Sequence, residues 1–179
     1  PVDEWNLLDR DVIAWHRSDH PRMRRIFAET TELRIIMEPA AAALAAERAT
    51  DAEIRTILDA ATALHPEDGD VHALFEADCR FHVTILDATG NQVMRQFRQI
   101  IVTMLRVSYE VGVAKPENGP VNRKGHIDVA KAIARRNAGV LVGPQHLRGI
   151  LLLGVVAVER HRDFGRLQFR REFGAEAFD

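Results

Sequence analysis

Met37-Glu-Pro-Ala-Ala-Ala-Ala-Leu-Ala-Ala-Glu-Arg-Ala49 runs straight into Thr50, Asp51, Ala52 and Glu53. The first part is rich in alanine, the best helix former. Pro39 stands near its start, where a proline is tolerated or kinks an incoming helix. Thr50 then predicts an N-cap, and Glu53, three residues on, completes the pattern of a capping box. Ile54, Ile57, Leu58 and Ala61 follow at helical spacing. Two helices joined by one capped junction set the tone for the whole chain.

Working outward, residues 65–69 (HPEDG) carry a turn signal. Beyond Val71 the apolar positions Leu74, Phe75, Phe81, Ile85 and Leu86 are again helical in spacing. Gly90 suits the residue after a helix end, and Asn91 suits the cap of the next helix. Residues 93–111 predict a long helix with Phe97, Ile101, Met104 and Leu105 on one side, ended by KPENG at 115–119. Helices are also expected over 121–138 and 144–161. The stretch 139–143 (GVLVG) could be a short strand, but with no partner strand it reads as a loop or a helix start. There is no repeat. The expected fold is all-α, an antiparallel bundle of six to seven helices with short loops. Residues 21–162 would form the bundle, 1–20 a linker or first helical segment, and 163–179 a partly ordered tail.

The balance of residues narrows the function. A chain of 179 residues with 46% hydrophobic and 28% charged residues has the mix of one soluble globular domain. Its formal net charge of −2 lacks the basic surplus of a nucleic-acid-binding domain. The cations are mostly arginine, with only Lys115, Lys124 and Lys131 as lysines. Arginine suits planar carboxylate recognition, although a GC-rich coding sequence gives the same bias. Cys79 is the single cysteine, so no internal disulfide can form, which fits a reducing, cytoplasmic setting. The longest apolar run, 150–158, contains Gly154 and falls well short of the roughly 20 residues needed to span a membrane. Neither a membrane role nor a leader peptide is expected.

Chemistry concentrates at Asp78-Cys-Arg-Phe-His82. An Asp and a His four apart on a helix leave one face, one turn apart, and can both ligate one metal ion. The same spacing is also common in surface pairs and in capped core histidines. His126 and His146 lie on helices expected downstream. One carboxylate with three imidazoles suits a divalent transition metal, Zn²⁺ or Ni²⁺ first and Mn²⁺ less well. The remaining histidines sit near expected helix ends or turns, where a solvated role is the default.

The order of several motifs resembles a known family. Glu32, Leu33 and Arg34, then Met37, Glu38 and Pro39, then the alanine-rich stretch 41–46, look like the opening of the C-terminal effector-binding (FCD) domain of GntR-superfamily regulators of the FadR-like branch. Asp78 with Phe81 and His82, then Gly90 and Asn91, is similar to that family's central signature, and His126 with Ala132 and Ile133 to a later one. Trp5, Asn6, Leu7, Leu8 and Asp9, with Asp11, Val12 and Trp15, resemble the segment after the winged helix in members that sense sugar acids such as galactonate.

That resemblance implies a ligand-sensing and dimerisation domain, not an enzyme. A core metal would be held by Asp78, His82 and His126. His146 lies about two residues short of the family's spacing, so either it ligates from a shortened junction or the site has three protein ligands. The metal would anchor a carboxylate effector, a sugar acid or hydroxy acid, with Arg34 as the first arginine to clamp it and Arg106 as the second. The partners implied are a homodimer mate and operator DNA, the latter through an N-terminal winged helix-turn-helix outside these residues. Two other readings compete: a metal-dependent helical hydrolase, and a metal-free structural dimerisation module.

Overall fold

The computed structural model of the chain describes residues 21–64, 70–110 and 123–141. Among these residues seven helices form, and no strand does. They are α1 (Pro21–Arg48), α2 (Asp51–Ala63), α3 (Val71–Ala88), α4 (Gln92–Gln96), α5 (Arg98–Glu110), α6 (Arg123–Ala134) and α7 (Ala138–Leu141). The expected all-α bundle is the observed one. The expected linker at 1–20, the helix at 144–161 and the tail at 163–179 lie outside the described residues.

Local signals in the sequence set most of the boundaries. At the start of α2 the capping box is complete: Glu53 N donates to Thr50 Oγ1 at 3.3 Å, and Thr50 N donates to Glu53 Oε2 at 2.8 Å. These side chains satisfy two of the donors that a helix start leaves open. Asp70 caps α3, accepting from the backbone N–H groups of His72 and Ala73. Gly90 turns the chain after α3 at φ +65°, a region that costs glycine nothing. Asn91 then caps α4 through Oδ1, which accepts from Val93 N at 2.9 Å and Met94 N at 3.2 Å.

Two boundaries differ from expectation, and at Pro39 one of two open readings holds. Pro39 lies inside α1, which starts at Pro21 and runs through it. A proline there has no N–H to offer the Ile35 carbonyl, so packing, not propensity, carries the helix through. The long helix expected over 93–111 is broken at Phe97, whose N–H reaches back to Met94 O at 3.1 Å in a tighter turn. The helix expected over 121–138 stops at Ala134, because Arg136 adopts φ +52°. Asn137 N then bonds Ala132 O at 3.0 Å and Arg136 N bonds Ile133 O at 2.9 Å, the double bond pattern of a Schellman end. After that stop, 138–141 forms the short helix α7, so the GVLVG stretch begins as helix rather than strand.

Two long-range hydrogen bonds fix how the helices run. Arg48, ending α1, donates from Nη1 to Thr89 O at the end of α3, at 2.8 Å. Arg136, just past α6, donates from Nη2 to Ala49 O at 3.1 Å. So α2 starts where α1, α3 and α6 end, and it packs antiparallel against α3 and α6. The alanine face of α1 (Ala41, Ala42, Ala45 and Ala46), with Ala49 just past its end, is wholly buried. Small side chains at a helix contact shorten the interaxial distance, which draws α3, α6 and α7 close around α1. Ile57, Leu64, Ile101, Met104, Ile133 and Leu141 fill the core between them. Among the described residues no helix is long and apolar enough to cross a membrane.

Candidate functional site

Polar residues gather at one place in this apolar core. Asp78 and His82 leave α3 one turn apart, as their spacing predicted, and both point inward. The first turn of α6 brings His126 to them. Asp78 Oδ1 stands 3.3 Å from His82 Nε2 and 3.2 Å from His126 Nε2. One ligating atom from each of the three residues lies within 4.8 Å of the others, and all three residues are buried. Such a group can hold a metal ion.

The hydrogen bonding is incomplete at the point where these atoms meet. Asp78 Oδ1 and His82 Nε2 are buried and lack a hydrogen-bond partner, since their contacts are not aligned for one. Leaving a buried polar atom unpaired costs about 1–3 kcal/mol. A cation held between the three atoms would remove that cost. The other carboxylate oxygen, Oδ2, accepts a hydrogen bond from the Tyr109 hydroxyl on α5 at 3.3 Å. Burial by itself would raise the Asp78 pKa. Contact with His126 and then with His82 outweighs it and holds the carboxyl well below the usual range. The Tyr109 hydroxyl moves the other way, pushed well above the ordinary phenol value by burial and then by the Asp78 charge, so it stays a donor.

A second polar layer lies on α1. Arg34 Nε donates to Glu38 Oε1 at 2.6 Å, one helical turn on, and both side chains are buried. Burial opposes the Arg34 charge, but the nearby Glu38 carboxylate overcomes this and raises its pKa, with a smaller contribution from Asp78. Glu38 Oε1 also stands 3.5 Å from His82 Nδ1. Glu38 and His82 line a small cavity of about the size of one water molecule. Its other walls are apolar, including Ala41, Phe81, Ile85 and Val129. The Phe81 ring packs edge-on against both imidazoles, with centroids 5.3 and 4.8 Å away.

Of the residues singled out from sequence, Asp78, His82 and His126 come together, and Arg34 lies beside them through Glu38. Arg106 is on α5 with its side chain exposed. His146 lies outside the described residues. Glu38 and Tyr109 belong to the cluster and were not anticipated. The i, i+4 spacing of Arg34 and Glu38 was a readable signal for the first. Nothing in the sequence pointed from Tyr109 to Asp78.

A bundle with this ordered set of polar residues has a family. The chain belongs to the FCD domain family, whose model matches residues 29–140. That span holds Arg34, Glu38, Asp78, His82, Tyr109 and His126, and stops short of His146. Among characterised proteins, the chain is similar to the galactonate operon transcriptional repressor of Escherichia coli (strain K12), 36% identical over 110 residues. The matched region is 62% of this chain and 48% of that repressor, so the match spans about half the relative's length.

Proposed function

We propose that this chain is the ligand-sensing and dimerisation domain of a GntR/FadR-type transcriptional regulator. It takes a carboxylate effector, a sugar acid or hydroxy acid, at a core metal site. The observation that carries this reading is the convergence of Asp78 Oδ1, His82 Nε2 and His126 Nε2, two of them buried without a hydrogen-bond partner. Metal–ligand bonds of about 2.0–2.1 Å in a tetrahedron put neighbouring ligand atoms about 3.3–3.4 Å apart. The separations of 3.3 and 3.2 Å from Asp78 to the two histidines match that spacing closely.

One carboxylate oxygen and two imidazole nitrogens suit a borderline divalent ion, Zn²⁺ or Ni²⁺ ahead of Mn²⁺. His146 is the fourth protein ligand in this reading. A bound ion would offer its open positions to carboxylate and hydroxyl oxygens. Arg34 is the clamp on the effector carboxylate. Glu38 takes only its Nε, which leaves the two terminal nitrogens for a bidentate contact. Arg106, at the exposed edge, is the second arginine. The DNA contacts belong to a winged helix-turn-helix outside these residues, and effector binding shifts the population of domain arrangements that fit an operator. The matched relative is a transcriptional repressor, which argues against the hydrolase reading.

Metal content of the purified chain, read by elemental analysis, tests the site. Asp78→Ala and His82→Ala should lose the metal. A thermal-shift panel of aldonic acids, hydroxy acids and dicarboxylates tests the effector. Stabilisation should need both the metal and Arg34. Unchanged metal content and effector binding in both variants would overturn this site, and a wild type without metal would leave a metal-free dimerisation module as the better account.

A further inference from the structure

Glu38 does more than an ordinary ion pair requires. Its Oε1 receives Arg34 Nε at 2.6 Å and also stands 3.5 Å from His82 Nδ1. Its Oε2 is buried with no partner. A buried pair of this kind contributes little to stability once desolvation is counted. Pairing with Arg34 therefore explains neither the contact with His82 nor the depth of the carboxyl.

The two nitrogens of His82 face two different carboxyl groups, Nδ1 toward Glu38 and Nε2 toward Asp78. A neutral imidazole has one N–H and one lone pair. The nitrogen that carries the proton cannot ligate a metal. Acceptors stand on both sides of the ring, but a cation at the point shared with Asp78 and His126 would take the Nε2 lone pair, and Glu38 is then the acceptor for the proton on Nδ1. At 3.5 Å the Glu38 contact is a charge contact, not yet a hydrogen bond. A closure of a few tenths of an ångström makes it one.

We propose that Glu38 is a positioning residue: it fixes the tautomer and ring orientation of His82 for metal ligation, and the same oxygen holds Arg34 in place. The proposal rests on the metal-site reading above. It assigns to α1 a part in the metal site although α1 supplies no ligand, and it links the arginine clamp to the metal through one atom, Glu38 Oε1.

The test uses the 179-residue chain and its Glu38→Ala and Glu38→Gln variants. Zn²⁺ affinity is measured by competition with a chromophoric chelator, with the melting curve of each metal-free protein recorded alongside. A nitrogen-15 histidine spectrum of the Zn²⁺-loaded wild type reports the tautomer of His82. Glu38→Ala should weaken Zn²⁺ binding roughly 10–100-fold, the usual effect of removing a partner that orients a ligating histidine. Glu38→Gln, whose amide oxygen can still accept from Nδ1, should restore most of that loss. The spectrum should show Nε2 metallated and Nδ1 protonated. Equal Zn²⁺ affinity in all three folded proteins overturns the proposal, as does metallation of His82 through Nδ1. The spectrum decides the matter if Glu38→Ala fails to fold. A wild type that takes no Zn²⁺ instead sinks the metal-site reading, and this inference falls with it.

Discussion

Asp78 Oδ1 lies 3.2 Å from His126 Nε2, so a residue in the middle of α3 meets one in the first turn of α6 across the core. Asp78 is the hub of the cluster, since it also contacts His82 and accepts from Tyr109. Asp78→Asn keeps its size and removes its charge. The variant should bind Zn²⁺ more than roughly 100-fold more weakly, a loss beyond that of an outer partner because a ligand itself is gone. In the wild type, Zn²⁺ at 100 times its dissociation constant should add about 2.7 kcal/mol of stability. The measurement is the melting temperature with and without Zn²⁺. An equal Zn²⁺-induced rise in Asp78→Asn would remove Asp78 from the ligand set.

The capping box at the head of α2 gives a prediction free of any metal. Thr50→Ala removes the oxygen that accepts from Glu53 N, and should lower stability by about 1 kcal/mol. Glu53→Gln keeps an oxygen able to accept from Thr50 N, so it should cost clearly less. Urea unfolding of the three proteins reads the difference. Equal midpoints for wild type and Thr50→Ala would mean that the box adds nothing to the fold.

These contrasts show which features were legible in the sequence. Thr50 with Glu53, Gly90 and Asn91 were readable because a cap is completed by residues a few positions apart. The face shared by Asp78 and His82 was readable for the same reason. The meeting of His126 with Asp78 was not fixed by spacing, because it depends on how α6 lies against α3. It entered through the ordered resemblance to a family. Tyr109 is the clearer case: its partner lies on another helix, and no motif ties the two. The break at Phe97 has neither glycine nor proline to announce it. At Pro39 the local signal left two readings open, a helix start or an incoming helix, and the buried alanine face that follows carries α1 through it.

Cys79 follows Asp78 on α3 and is only partly buried, yet its thiol should be unreactive. Burial pushes its pKa up to about 12, the Asp78 charge adds to the rise, and Arg106 offsets part of it. The thiolate is the reactive form, so at pH 8 alkylation of the folded protein should be far slower than that of the urea-unfolded chain. The sign of the pH effect follows. A thiol pKa raised on folding contributes stability that is complete below the unfolded value of about 8.5 and is lost as pH rises toward 12. Iodoacetamide labelling followed by mass spectrometry measures the rate. Labelling as fast in the folded as in the unfolded protein would contradict the shift.

Arg136 holds two opposing effects in one residue. Its backbone, at φ +52°, sits in the left-handed region that terminates α6, and a non-glycine residue there costs roughly 1–2 kcal/mol relative to glycine. Its side chain repays part of that cost, donating from Nη2 to Ala49 O at 3.1 Å and lying 3.4 Å from Asp51. The Asp51 contact is exposed and adds little. The bond to Ala49 O ties the end of α6 to the α1–α2 junction and contributes about 0.5–1.5 kcal/mol. Two substitutions separate the effects. Arg136→Ala loses the side-chain bond and keeps the backbone cost, so it should be the least stable of the three proteins. Arg136→Gly loses the same bond and relieves the backbone, so it should exceed Arg136→Ala by about 1 kcal/mol and fall close to wild type. Urea midpoints give the order directly. If Arg136→Gly is no more stable than Arg136→Ala, the left-handed turn does not set the end of α6, and the stop at Ala134 must come from packing against α7.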